Sequence, residues 1–175
     1  VFPFDEVLCE YLYGRADYLA KKNARRLTRA DVDALWSKRG ELQADAGAHY
    51  AVELELDLST VIPHVSGPDD VKTMTSLPEI ESKHVKINKA YLLSCVNARL
   101  EDLREAAGVI DGSKVAAGVE FYVAAASAEV QKQAEQLGYW KTLTSAGAIP
   151  LPSGCGPCIG LGIGTLKAGE VGISA

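Results

Sequence analysis

The stretch from residue 87 to residue 149 constrains the fold most, because short apolar runs alternate there with helical segments. The run at 87–93 is mostly apolar and the run at 119–126 is nearly continuously apolar, which is typical of strands buried on both faces. Strands that alternate with helices predict an α/β fold, a three-layer domain with a mainly parallel sheet flanked by helices. The predicted helices cover 100–110, 127–137 (with Ser127 as N-cap) and 139–146, and a short third strand begins at Ala148.

The earlier part of the chain carries different patterns. Residues 1–45 are predicted to be mainly helical, with Thr28 as an N-cap and the acidic Asp31 three positions later. Residues 50–58 alternate apolar with acidic side chains, which predicts a strand with one solvent-facing side. Prolines and glycines mark an irregular linker from about 60 to 86. We expect residues 1–175 to form a single domain.

Three of the four cysteines follow predicted strands. Cys95 comes directly after the strand at 87–93, and Cys155 and Cys158 lie in a glycine-rich loop after the short third strand. Because parallel strands end at one edge of a sheet, we expect the three sulfurs to gather at that edge. Three thiolates can hold an iron–sulfur cluster, whose usual requirement is four, and the missing ligand would leave one iron open as a Lewis acid.

Two other interpretations of the cysteines are open. Cys155-Gly-Pro-Cys158 has the spacing of a dithiol redox motif, but the glycine-rich sequence after it is a poor helix former, and such a motif opens a helix. A structural zinc site would need a fourth ligand, for which Cys9 is available. Cys9 lies in an apolar helical segment, where a buried free thiol is the more common case.

Other candidate residues have ordinary structural explanations. His49, His64 and His84 are the candidate general bases, and their places at strand edges or in the linker favour surface or turn roles. Arg99 is expected to pair with Glu101 or Asp102 rather than to face a metal. The glycine run at 159–164 is a weak nucleotide signal, since neither a clear strand nor a capped helix flanks it.

Composition limits the partners. The 18 Lys and Arg against 23 Asp and Glu give a net charge of −5, which argues against nucleic acid. No apolar run approaches the ~20 residues needed to span a bilayer. Four cysteines without a disulfide-like spacing suggest a reducing compartment. The chain starts at Val1 and stops in an apolar stretch, so we expect it to be a piece of a larger protein.

Two segments resemble the cluster-binding segments of the aconitase family of hydro-lyases. They are Ser94-Cys-Val-Asn-Ala-Arg99, followed by Glu101-Asp-Leu103, and Gly154-Cys-Gly-Pro-Cys158. Residues 50–68 and 124–135 extend the similarity over most of the chain. Val96 and Ala98 stand where the family usually has threonine and serine, but both flank ligand positions, so cluster binding is expected to survive.

The resemblance implies that Cys95, Cys155 and Cys158 bind a four-iron four-sulfur cluster with one iron open to substrate. It further implies the third, cluster-bearing α/β domain of an enzyme that dehydrates and rehydrates a tricarboxylic hydroxy acid. The other domains of the enzyme would supply the acid and base residues, so we expect no catalytic side chain in this piece and no activity from it alone.

Val96 and the run from Pro152 to Cys158 are most similar to the fungal mitochondrial branch that acts on homoaconitate in lysine biosynthesis. That similarity implies a mitochondrial matrix location. Citrate and isopropylmalate are the alternative substrates. A function of another class, iron-responsive RNA binding, is known in the family, but the acidic balance argues against it and against a nucleic-acid partner, and a membrane partner is not expected.

Overall fold

The computed structural model of the chain describes residues 3–67, 70–154 and 156–175. Cys155 therefore lies outside the described residues. The chain divides into two compact units, Val1–Val61 and Ile62–Ala175, and each is considered by itself. No helix within the described ranges combines the length and hydrophobicity needed to cross a bilayer.

The first unit is built from two helices, α1 (Glu6–Lys21) and α2 (Arg29–Ser37), followed by a short 3-10 helix at Arg39–Leu42. The predicted cap at Thr28 is confirmed, because its hydroxyl accepts from the amide of Asp31 while the Asp31 carboxylate accepts from the amide of Thr28. Val32 on α2 is fully buried. Tyr13 on α1 donates a hydrogen bond to Asp33 on α2, which links the two helices.

The predicted strand at 50–58 is wrong for the described chain. Residues 50–57 carry no strand, and a 3-10 turn follows at Leu58–Thr60. The alternating side chains are all exposed, including Leu54 at 93%. A strand needs a neighbour to satisfy its backbone groups, and the described residues provide none.

The second unit begins with a small hairpin. Strands β1 (His64–Ser66) and β2 (Met74–Ser76) pair antiparallel, and helix α3 (Leu77–Ser82) follows directly. The stretch expected to be an irregular linker therefore contains regular elements. Proline and glycine mark its turns, but they do not prevent short strands between them.

The main sheet has four parallel strands in the order β5-β4-β3-β6, which confirms the predicted α/β fold class. The predicted strands are β3 (Lys89–Leu92), β4 (Glu120–Val123) and the short β5 (Ile149–Pro150). Strand β6 (Gly172–Ser174) was not predicted, because three residues in a glycine-rich tail carry no periodic signal. The helices are α4 (Leu100–Ile110), α5 (Ala128–Gln136) and α6 (Tyr139–Ser145).

The two faces of the sheet pack against different parts of the chain. Leu92 and Val123 point to one face, where they form a core with Leu103 of α4 and Leu143 of α6. The opposite face carries the stacked rings of Tyr91 and Tyr122, with centroids 5.8 Å apart. Strand periodicity of two residues explains the division, since neighbouring residues face opposite sides.

A buried ion pair fastens the end of the chain to this second face. The Lys89 side chain is 4% exposed, and its Nζ lies 2.7 Å from the Glu170 carboxylate and 2.8 Å from the Thr165 carbonyl oxygen. The Tyr91 hydroxyl donates to the Gly164 carbonyl at 2.6 Å. These bonds hold residues 164–171 in place, so that β6 reaches its register beside β3.

Close packing reinforces the attachment. A Cβ on Gly172 would lie 2.9 Å from the Tyr91 ring, closer than real Cβ atoms come to a neighbour. A side chain at this position would therefore force the Tyr91 ring or the backbone of β6 to move. The segment fixed in this way continues directly from the loop that carries Cys158, so the ion pair also limits how far that loop can move.

We expect Leu103→Ala to lower the free energy of unfolding by about 2–5 kcal/mol, because the truncation leaves a cavity in a closed core. Leu103 is fully buried, whereas Val109 on the same helix is 86% exposed. Val109→Ala is therefore the matched control and should have little effect. Chemical denaturation measures both, and equal losses for the two variants would contradict the assigned core.

The Lys89–Glu170 pair should stabilise the fold by a constant amount over a range of pH that has an acid and an alkaline limit. The hydrogen bond to Glu170 raises the pKa of Lys89 above 10.5, and the same bond, with the Lys167 amide, lowers the pKa of Glu170 below 4.5. The pair's contribution is therefore complete between those values. It is lost as the pH falls through the lowered pKa of Glu170 or rises through the raised pKa of Lys89.

Lys89→Met should lower the melting temperature most near neutral pH and reduce the pH dependence at both limits. Lys83→Met is the control, since Lys83 pairs with Glu79 on the exposed surface, where ion pairs contribute little. Melting curves from acid to alkaline pH measure the effect. A Lys89→Met protein whose curve parallels the wild type at every pH would contradict the proposed coupling.

Candidate functional site

Cys95 lies on a short loop between β3 and α4 that is held at both ends. At the start of the loop, directly after β3, Leu93 is buried. Ala98, fully buried, accepts a hydrogen bond from the amide of Ala126 at 2.8 Å, which ties the loop to the end of β4. Cys95 itself is exposed and forms no disulfide with another cysteine in the described ranges. The loop thus presents its thiol to the outside from fixed ends.

Ser94 has an unusual backbone conformation directly before the cysteine. Its φ is 97°, in the region that non-glycine residues rarely adopt, at a cost of order 1–3 kcal/mol. The Ser94 hydroxyl accepts from the amides of Val96 at 3.3 Å and Asn97 at 3.1 Å. These two bonds offset the strain and close a tight turn around Cys95.

Arg99 stands at the start of α4. Its amide donates to the Asp102 carboxylate at 2.9 Å, and its carbonyl accepts the first helical bond from Leu103. The backbone of Arg99 therefore begins the helix that follows the cysteine loop.

Cys158 lies in the second loop, after β5. The Leu151 amide donates to the Val123 carbonyl at 2.8 Å, which keeps the chain on the sheet until the loop begins. Gly154 has a φ of 131°, a conformation that glycine tolerates best. Cys158 occupies the middle of a 3-10 helix, Pro157–Ile159, and its thiol is free and exposed. The predicted ligand Cys155 lies outside the described residues.

Both loops open from the same edge of the sheet. A cavity of about 290 Å³ is lined by residues that follow β3, β4 and β5, namely Leu93, Ala124 and Leu151, together with Pro157 of the cysteine loop. A larger cavity, of about 680 Å³, is lined by Leu93, Pro157 and Cys158. The carboxyl ends of three parallel strands therefore meet the second cysteine loop at this edge, and Cys158 lines the larger cavity there.

The donor chemistry fits an iron–sulfur cluster better than a hard metal. Cys95 and Cys158 offer exposed sulfur donors, and thiolates select iron–sulfur clusters, zinc or copper over magnesium or calcium. In residues 3–67, 70–154 and 156–175, no three potential ligands of the His, Cys, Asp or Glu type lie together as a metal site. A three-thiolate set at this edge therefore requires Cys155.

The alternative interpretations gain no support from the local structure. Cys158 lies in a 3-10 helix of three residues, whereas a dithiol redox motif opens a long helix. Cys9 lies in α1 and is 7% exposed, which matches a buried free thiol rather than a metal ligand.

The histidines differ in their surroundings. His49 is exposed, and His84 follows α3 with a φ of 47°. His64, in β1, lines the larger cavity together with Tyr91 and Cys158, and its Nδ1 lies 2.6 Å from the Ile62 carbonyl oxygen. His64 is exposed, as its sequence position favoured, and it also borders the larger cavity.

The residues that hold the segment after the second cysteine loop were not predicted from the sequence. Lys89, Tyr91 and Glu170 fix the segment that continues from the Cys158 loop. One signal was present, because Lys89 is a charged residue inside an apolar strand, and a buried lysine requires an acidic partner. Nothing in the sequence identified Glu170 as that partner.

Comparison with known proteins places the chain in a family. The sequence model of the aconitase family (aconitate hydratase) matches residues 1–175. The chain is 51% identical over its whole length to the mitochondrial homoaconitase of Candida albicans, covering 25% of that protein.

Two further relatives have the same name. The chain is 55% identical over 100% of its length to the mitochondrial homoaconitase of Eremothecium gossypii, covering 26% of it. It is 59% identical over 86% of its length to that of Mycosarcoma maydis, covering 20% of it. The chain thus spans about a quarter of the length of these relatives. With a family match over all 175 residues and identities above 50%, the chain belongs to the aconitase family.

Proposed function

We propose that this chain is the cluster-binding domain of a homoaconitate hydratase, in which Cys95, Cys155 and Cys158 hold a four-iron four-sulfur cluster. The observation that carries the proposal is the presentation of two free, exposed thiols, Cys95 and Cys158, on loops at the carboxyl edge of a parallel sheet. Ligands of α/β sheets gather at that edge. Membership of the aconitase family supports the cluster as the cofactor.

The proposed reaction is the interconversion of homoaconitate and homoisocitrate by addition and removal of water. When bound, a cluster with three protein ligands supplies an open iron that acts as a Lewis acid on the substrate hydroxyl and carboxylate. Relatives named mitochondrial homoaconitase support this substrate and a mitochondrial location, for which we propose the matrix. Citrate and isopropylmalate are the alternatives.

The residues of this chain would serve to hold and orient rather than to transfer protons. The Ser94 hydroxyl fixes the turn around Cys95, and the Lys89–Glu170 pair fixes the segment after Cys158. Loops held in this way present sulfur donors at little further cost in conformational entropy. The groups that remove and return the proton would come from the remaining domains of the enzyme, since the chain covers about a quarter of its relatives.

The ligand assignment predicts the result of cysteine substitution. After anaerobic reconstitution with iron and sulfide, Cys95→Ala, Cys155→Ala and Cys158→Ala should each abolish the visible absorbance and EPR signal of the cluster. Cys9→Ala is the matched control and should keep both, because Cys9 is buried in α1. Iron and sulfide content per chain provides the quantitative measurement. Full iron content in any of the three ligand variants would overturn the assignment.

Two substitutions at Ser94 separate its hydroxyl from its backbone strain. Ser94→Ala removes the acceptor and keeps the strained φ, whereas Ser94→Gly removes the acceptor but tolerates the conformation. We expect the cluster of Ser94→Ala to be lost in air about fivefold faster than that of the wild type, as a lost hydrogen bond of ~1 kcal/mol implies. Ser94→Gly should lie between the two.

The decay of cluster absorbance in air measures these rates. The order of the three proteins separates a positioning role from general destabilisation. Equal decay rates in the wild type and Ser94→Ala would show that the hydroxyl has no part in holding the loop.

A further inference from the structure

Residues 50–58 have the composition of a strand but lie exposed. From Val52 to Leu58 apolar residues alternate with acidic ones, and Tyr50 lies at the same spacing before them. The exposed fractions of Tyr50, Val52, Leu54, Leu56 and Leu58 are 56%, 70%, 93%, 68% and 76%. Five large apolar side chains at a period of two would share one face of an extended strand. Surfaces of this kind are rare unless something covers them.

The backbone of the same segment is also unpaired. Among the described residues, no backbone hydrogen bond involves the amides or carbonyls of residues 50–56. The first pairing comes at Asp57, whose carboxylate accepts from the Ser59 amide at 2.9 Å and whose carbonyl accepts from the Thr60 amide. A row of free donors and acceptors beside an apolar face is what an edge strand presents to a partner sheet.

The charge pattern makes a second copy of this chain an unfavourable partner. Glu53, Glu55 and Asp57 occupy the face opposite the apolar residues. An antiparallel pair of two such segments centred on Glu55 would place acidic residues directly opposite each other, which destabilises the pair. The matching partner is a strand with an apolar face and with neutral or basic residues on the other.

The length of the relatives indicates where such a strand can come from. This chain spans about a quarter of each, so most of each relative's length lies outside the part that matches these 175 residues. We propose that residues 51–58 form a strand that adds to the edge of a β-sheet supplied by the rest of the full-length enzyme. The apolar side chains face the core of that sheet, and the acidic side chains lie on its outer side.

This docking strand goes beyond the proposed cluster function and does not depend on it. The strand would tie the domain to the rest of the enzyme whether or not a cluster is bound. The two proposals can therefore fail separately.

Hydrogen exchange on the monomeric full-length enzyme tests the strand directly. With a sheet on one side, alternate amides from 51 to 58 should exchange at least 100-fold more slowly than in an unstructured peptide of the same sequence. Exchange of the whole segment at the peptide rate would overturn the proposal. Protection that appears only in a dimer and disappears on dilution would assign the surface to a second copy, and would also overturn it.

A pair of variants tests which face is covered. Leu54→Asp places a carboxylate on the face expected to be buried, whereas Glu55→Asp keeps a carboxylate on the face expected to lie outside. In the full-length enzyme, Leu54→Asp should speed exchange at 51–58 at least tenfold and Glu55→Asp should leave it unchanged. Equal effects would contradict the assignment of the faces. If Leu54→Asp fails to fold, the wild-type exchange pattern alone decides.

Discussion

Parallel pairing of β3, β4 and β5 is the constraint on which the rest of the structure depends. Parallel neighbours cannot be joined by a tight turn, so the chain must cross over through helices, and every strand ends at the same edge. The loops that carry Cys95 and Cys158 both leave from that edge, although more than sixty residues separate them. A sheet of antiparallel strands in the same order would send neighbouring loops to opposite ends. The parallel topology alone therefore brings both loops to the same edge of the sheet, whatever residues they carry.

The two faces of the sheet have different roles. One face, through Leu92 and Val123, packs on the helices and provides most of the buried core. On the other face, Lys89 and Tyr91 hold the segment that continues from the second cysteine loop, and Tyr122 stacks on Tyr91. A lysine buried within a strand has a large desolvation cost, and Glu170 and the Thr165 carbonyl offset it. The charged pair joins two parts of the chain that no apolar pattern links.

The sequence predicted those elements whose signals are local. Helix α4 occupies the predicted residues, and α5 begins at the predicted cap Ser127, because periodicity and caps act within a few residues. The strand predicted at 50–58 was wrong because its signal is not local: an alternating pattern identifies a strand only where another strand is available to pair with it. Strand β6 was missed because its position depends on Lys89 and Glu170, which are about eighty residues apart. In the site, the positions of Cys95 and Cys158 in loops that follow strands were predicted from the sequence. The turn at Ser94 was not, because it depends on backbone angles that the sequence does not specify.

The most direct test of the central claim is an anaerobic crystal structure of the full-length enzyme, reconstituted with iron and sulfide and recorded with iron anomalous scattering. We expect a single peak of iron density at the carboxyl edge of the sheet, within bonding distance of sulfurs from both cysteine loops. Iron bound at one loop only, or divided between two separate positions, would contradict it.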